Sequence, residues 1–397
     1  MSDEFDAERA ARLHDGRAWA DFCDTYKAAG EIILRQTTDA DDQDRVEGFR
    51  YLTRMFFMAA GRSIERRVPA SGRAHRIGLI PPPLKGGIGV QSPNQDHIVQ
   101  AVDSRFRYRI TGTVGNVYTH LSAWSPPVPD DVGAFDSGVE SESQLEYFNP
   151  NNAKTPHTCV LSDMAEQDGT VDFILSVEPP DDGSKWMSMA PTTRELMGRA
   201  VWDDRQNQTP PRISIECLDE FRPADPPSPA EMSERLAVGA QLVMGLVADY
   251  EGWTNDLRTR VNDTEFTREW YERIGGSPDD RHFEFGYWDV PAGKALVVDF
   301  VEPETQHWNF QLCNHWMENL ANYATGEGYV DKENATRDGE RVRIVVAHED
   351  PGVPNWLEPV THDHGVMGLR FVRPASEPQV TSRLVDVGDV KDLPVPD

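Results

Sequence analysis

At 397 residues the chain is long for one hydrophobic core, and 38% hydrophobic content, with ten tryptophans and sixteen phenylalanines, can fill two or more. A formal charge of −28, from 67 acidic against 39 basic residues, opposes nucleic acid and anionic membrane as partners, since a polyanion is held by Lys and Arg. The N-terminal stretch has neither a basic nor an apolar signal region, and no run of about eighteen apolar residues occurs, which predicts a cytoplasmic protein.

Helical spacing runs from Asp6 to Gln36, and a second helix is predicted after the acidic stretch Asp39 to Asp44. There Val46, Phe49, Leu52, Phe56 and Ala60 recur at three- and four-residue steps, predicting the buried stripe, with Arg45, Glu47, Arg50 and Arg54 off it. Residues 1–75 therefore read as a helical cap. Pro81, Pro82 and Pro83, then Gly86, Gly87 and Gly89, predict a loop. Beyond it the period changes to two at Tyr108 and Ile110, Val117, Thr119 and Leu121, and Val171, Phe173 and Leu175, so 76–222 reads as a first β-sandwich domain.

Residues 223–280 read as a helical linker. Ser228-Pro229 with Glu231 predicts a helix start, Leu236, Val238, Leu242, Val243, Leu246 and Tyr250 its apolar face, and a further helix is expected around Phe266 to Ile274. Residues 281–397 read as a second β-sandwich: PAGKALVVDF predicts a strand buried on both faces, and Val380, Leu384 and Val387 a last strand before a Pro-rich tail. The expected class is α+β, mainly β: two related antiparallel β-sandwich domains, jelly-roll-like, with an N-terminal helical cap and a helical insertion between them.

One segment is written twice. DGTVDFILSVEPPDDGSKW from Asp168 returns as DGERVRIVVAHEDPGVPNW from Asp338, each Trp standing eighteen positions after its Asp. Met197-Gly198 with Arg199 then matches Met367-Gly368 with Arg370. A separation of 170 residues is too long for a solenoid and predicts a duplicated domain.

Several strings spread along the chain together resemble the bacterial family called domain of unknown function 1214: VEGFRYLTRMF (46–56), YRITG (108–112), DGTVDFILS with Trp186, PAGKALVV (291–298), FQLCNHW (310–316) and DPGVPNWLEP (350–359). Where that family commonly shows an Asn-Pro-Asp-Asn run, this chain has Ser92, Pro93, Asn94, Gln95, Asp96 and His97. The resemblance implies two sandwich or jelly-roll-like domains with helices beside them, and no particular reaction.

For chemistry, Trp124, Trp186, Trp316 and Trp356 either line a cleft that leaves the indole N–H a polar partner or belong to the two cores. Arg199 and Arg370 either present forks to an anionic ligand or pair with acids of their own sheets. His315 is the acid/base candidate, with His120 or Asp350 assisting, and an eight-residue step along one strand would put His307 on its face. His362 and His364 form an HxH pair that suits a metal, with His348, Glu349 and Asp350 nearby in sequence; as surface-loop histidines they would need no ligand.

No phosphate loop, nucleophile elbow, CxxC or dinucleotide fingerprint occurs, so no organic cofactor is expected and a divalent metal stays open. Two function classes result. One is a small-molecule enzyme, hydrolase or lyase in type, acting on an apolar or aromatic substrate in an inter-domain pocket, between the two β-domains or between one of them and the helical cap. The other is a non-catalytic binding or assembly module recognising a carbohydrate or lipid-like ligand. Neither excludes a homo-oligomer.

Overall fold

A computed structural model describes residues 2–37, 42–81, 89–124, 157–224, 226–264, 281–321 and 327–394. The loop predicted through Pro82, Pro83, Gly86 and Gly87, and the helix predicted at Phe266 to Ile274, lie outside these residues. The fold is α+β and mainly β, with a helical N-terminus, a central helix and four sheets. The chain divides into two compact units, one of residues 1–80, 96–200 and 208–249, the other of 81–95, 201–207 and 250–397. Among the described residues no helix is long and apolar enough to cross a membrane.

The first unit begins with α1 (Ser2–His14), α2 (Arg17–Gln36) and α3 (Asp42–Ser63). The expected continuous helix is broken at Asp15-Gly16, where Gly16 takes φ 84° and the Asp15 carboxylate accepts the Arg17 N–H at 3.0 Å. On α3 the buried face differs from the predicted stripe. Leu52 is on it, and Phe56 packs against Phe22 and Tyr26, but Val46 is 68% exposed and Phe49 also faces solvent. Tyr51, Met55 and Ala59 take the interior, together with Asp44 and Glu47. Arg50 reaches across one turn to Glu47 at 3.5 Å, so that carboxylate is not buried alone. The central helix α4 (Pro229–Leu257) sets Leu236 and Ala240 against Ala18 and Phe22 of α2.

The strands of this unit are β1 (His75–Arg76), β2 (Gln95–Ala101), β3 (Tyr108–Thr113), β4 (Tyr118–Trp124), β5 (Thr158–Val160), β6 (Thr170–Ser176), β7 (Trp186–Ser188), β8 (Glu195–Val201) and β9 (Arg212–Cys217). They form two sheets, ordered β1-β9-β3-β6-β7 and β2-β8-β4-β5. Period-two alternation turns Ile110, Phe173 and Ile215 of the first sheet and Ile98, Leu121 and Leu196 of the second into one apolar core.

The second unit contains β10 (Arg281–Asp289), β11 (Lys294–Val301), β12 (His307–Leu312), β13 (Tyr329–Asp331), β14 (Arg337–Asp338), β15 (Arg341–Ala347), β16 (Trp356–Leu357), β17 (His364–Val372) and β18 (Val380–Asp386). One sheet is ordered β10-β17-β12-β13; the other is β18-β11-β15, with β14 and β16 both pairing β15. Leu296, Val298 and Phe300 of β11 enter the core with Trp308, Phe310, Leu369 and Phe371. Ala295 and Val297 point the other way and are covered by Val390 of the short 3₁₀ turn Val387–Asp392. That cover explains why β11 is apolar without alternation.

Matching sequence positions take matching local geometry. β6 pairs β7 in parallel through Ile174 and Trp186, and β15 pairs β16 in parallel through Val345 and Trp356. Each indole donates to a backbone carbonyl of the neighbouring strand, Trp186 to Ser176 at 3.2 Å and Trp356 to Ala347 at 2.8 Å. Gly169 and Gly339 turn the chain into β6 and toward β15 at φ 81° and 64°.

These turns give a graded stability test. A Cβ at Gly339 meets nothing within 4 Å, whereas one at Gly112, φ 151°, would stand 2.0 Å from the Arg212 carbonyl oxygen of β9. Gly339→Ala should therefore cost only the left-handed backbone term, about 1–2 kcal/mol. Gly112→Ala should cost clearly more, because two paired strands must part. Urea unfolding of both variants checks the order, and equal losses would contradict it.

Candidate functional site

The cavity with the best claim to a ligand lies within the first unit and measures about 490 Å³, in the range of small-molecule sites. Its walls come from the last turn of α3 and the residues after it, the first half of α4, the ends of β4 and β8, and the connection around Asp103. Gly239 allows the close approach of α4 to α3, since a Cβ there would stand 2.6 Å from Ser63 Oγ. Val68, Trp124, Phe221, Val238 and Leu242 form an apolar side. Arginines and carboxylates form the rest.

Most of these charges are paired with each other. Arg62 grips Glu195 through Nε at 3.1 Å and Nη2 at 2.5 Å, and its guanidinium lies 4.7 Å over the Trp124 ring. Arg105 holds both oxygens of Asp103, at 3.0 and 2.7 Å. Burial alone would raise the Asp103 carboxyl, but the Arg105 hydrogen bonds prevail and keep it below the usual carboxylate range. Arg235 bonds Glu231 at 2.6 Å and the Ile64 carbonyl at 2.8 Å.

Arg66 and Arg194 differ. Arg66 Nη2 donates to the Val102 carbonyl, Arg194 Nη1 to Ser104 Oγ and the Thr193 carbonyl, and among the described residues neither has a carboxylate at ion-pair distance. Burial first, and then the charge of Arg194, depress Arg66 below the ordinary arginine value.

Of the residues singled out in the sequence, only Trp124 lines this cavity. Trp186 is 37% exposed, and it and Trp356 sit on short parallel strands with their indole N–H groups on backbone carbonyls, outside this cavity. Arg199 reaches the fully buried His120 at 3.5 Å, Nη1 to Nε2. Arg370 is buried, donates to Gln311 Oε1 at 3.1 Å and to the Val90 carbonyl, and lies 5.3 Å over the Phe285 ring. These contacts occupy it inside its own unit.

The expected acid/base group is also arranged differently. β12 ends at Leu312, and the Asn314 side chain accepts the N–H groups of Trp316 and Glu318, both at 3.0 Å, forming a turn completed by Met317 at φ 57°. His315 and Trp316 therefore lie in a turn rather than on a strand, and alternation does not place His307 beside His315 or send Trp316 to an opposite face. His315 Nδ1 meets Tyr287 Oη at 3.0 Å, and its ring packs edge-on against Trp316 and His364. His307 is held by Asp203 at 2.8 Å and His348 by the Val290 carbonyl at 2.8 Å. Asp350 is exposed and caps the Gly352 N–H at 2.7 Å, and His120 belongs to the other unit.

His364 stacks on Tyr287 with ring centroids 6.0 Å apart, and among the described residues no three His, Cys, Asp or Glu side chains converge as metal ligands. The HxH pair thus lacks a third donor there. Burial pushes the thiols of Cys159 and Cys313 up to about 12, far from thiolate nucleophiles.

The residues missed from sequence are Arg62, Arg66, Arg194 and Glu195. Their only local signals were Arg66-Arg67 after a helical run and Arg194-Glu195 before an apolar strand, and in so charged a chain neither stands out.

No protein-family model and no curated protein matches this chain. Among solved structures, the chain is similar to an uncharacterized protein from Burkholderia cenocepacia, with a TM-score of 0.80 and 29% identity over 95% of this chain and 99% of that one. A protein from Vibrio parahaemolyticus matches with a TM-score of 0.40 and 11% identity, over 74% of this chain and 90% of that one.

The Arg62 and Glu195 side chains are 13% and 5% exposed, so removing one partner should leave a charge that water hardly reaches. Arg62→Met is expected to lower the unfolding free energy by about 3 kcal/mol. Arg62→Met with Glu195→Leu should recover most of that loss. A double-mutant cycle by urea unfolding checks the coupling; additive effects would contradict it.

Proposed function

We propose that this protein binds a small molecule with an apolar body in the cavity of its first unit. The observation that carries the reading is a cavity of about 490 Å³ lined by Trp124, Phe221, Val238 and Leu242 together with guanidinium groups. Such a wall removes apolar ligand surface from water, worth roughly 25 cal/mol per Å², while polar groups fix orientation. Binding is the better-supported class. For hydrolase or lyase chemistry the cavity offers carboxylates that each meet an arginine, and the oriented pair Tyr287–His315 belongs to the other unit with each residue only 4% exposed.

Two further readings belong to the same proposal. The shared strand order, the parallel Trp186 and Trp356 pairings and the Gly169 and Gly339 turns support an internal duplication. The quoted strings support kinship with the domain of unknown function 1214 family. If so, one copy kept a cavity beside α3 and α4, while the other placed Arg370 in an internal hydrogen-bond network.

The neutral fluorophore N-phenyl-1-naphthylamine tests the binding reading, since it brightens on leaving water. Saturable enhancement at one site per chain is expected. Val238→Trp, which fills the cavity from α4, should abolish it without lowering the melting temperature. Unsaturable enhancement, or full binding to a folded Val238→Trp variant, would remove the cavity as the site.

A further inference from the structure

Resting on that reading, we infer that the cavity is built for an organic carboxylate: an apolar chain or ring lying along Trp124 and Val238, with its carboxylate between Arg66 and Arg194.

The lining holds five arginines against four carboxylates, an unusual balance in a chain of net charge −28. Arg62, Arg105 and Arg235 each have a carboxylate of their own, Glu195, Asp103 and Glu231, and Glu234 is met by Arg9 at 3.4 Å. Arg66 and Arg194 remain. Asp103 and Glu195 lie near enough to act on Arg66 through space, but their oxygens are engaged by Arg105 and Arg62. Arg66 Nε is buried with no hydrogen-bond acceptor.

A backbone-anchoring role accounts for one nitrogen of each residue, at the Val102 and Thr193 carbonyls, and leaves the mutual repulsion unexplained. A bound anion relieves it: it stands between two like charges, and a carboxylate offers two oxygens to guanidinium forks. The rest of the lining includes Val68, Trp124, Phe221, Val238 and Leu242, which suit a hydrocarbon body.

Octanoate, octan-1-ol and inorganic phosphate, each used to displace N-phenyl-1-naphthylamine from the full chain, separate the alternatives. Octanoate is expected to displace the fluorophore about tenfold more tightly than octan-1-ol, the scale of one charge-assisted contact, and phosphate not at all. Arg66→Met should bring the two eight-carbon probes to equal affinity while octan-1-ol binds as before; Arg194→Gln supplies the same measurement if Arg66→Met does not fold. Equal displacement by both probes in the unaltered protein, or a preference for octanoate that survives both substitutions, overturns the carboxylate inference and leaves the cavity standing. Displacement by phosphate alone overturns it too. Failure of the fluorophore to report the cavity, seen as undiminished binding to Val238→Trp, removes the underlying reading instead.

Discussion

Each unit buries the facing sides of two sheets in one apolar core, and this obliges the chain to find cover for the faces turned away. Those faces are not apolar throughout. On β8 and β4 they carry Glu195, Met197 and Trp124; on β12 they carry His307, Asn309 and Gln311, all buried. A polar group taken out of water costs on the order of 1–3 kcal/mol when unpartnered, so whatever covers such a face must bring hydrogen bonds with it.

In the second unit the end of α4 covers part of that face, with Trp253 and Leu257 against Phe285, Tyr287 and Val366, and a short piece of chain before β2 covers the polar part. Ser92 Oγ donates to Asn309 Oδ1 at 3.0 Å, Asn94 Nδ2 to Asp331 at 2.7 Å, Gln311 Nε2 to the Gln91 carbonyl at 2.8 Å, and Arg370 to Gln311 and the Val90 carbonyl. This segment turns twice, with Gly89 and Val90 at φ 74° and 49°, and meets the sheet through side chains and carbonyls of Val90, Gln91, Ser92 and Asn94. In the first unit the cover is helical. The end of α3 meets β8 through the single fork of Arg62 on Glu195, and a cylinder laid against a twisted sheet leaves a wedge of space beside the contact. The cavity is that wedge, and the arginines after α3 face it because the helix end brings them there.

This accounts for what could be read in the sequence. Strands reveal themselves locally: β3 and β6 alternate, β11 is apolar on both faces, and an Asp-Gly turn precedes β6 and β15. The stripe of α3 was misplaced because apolar identity was taken for burial, whereas Glu47 can go inward with Arg50 reaching it and Val46 can remain in water. An even eight-residue step from His307 suggests one continuous strand through His315, yet the Asn314 side chain turns the chain after β12 by accepting the Trp316 and Glu318 N–H groups. Arg62 and Glu195 stand 133 residues apart, and no periodicity can announce a pair that only tertiary packing creates.

The matching of Arg199 with Arg370 shows the same limit from another side. Both follow a Met-Gly pair in an inner strand of a four-stranded sheet, β8 and β17, and sequence offers each to an anion equally. Surroundings decide. Arg370 spends its donors on Gln311 and Val90 and stacks over Phe285, and Arg199 points to His120. The arginines left to bind something else are those whose neighbours' carboxylates are already engaged, Arg66 beside the Arg62–Glu195 pair and Arg194 beside the Arg105–Asp103 pair. Charge counted along a chain of net −28 predicts repulsion of every anion, but pairing inside the cavity reverses that sign over a few ångströms, and a ligand responds to the local balance.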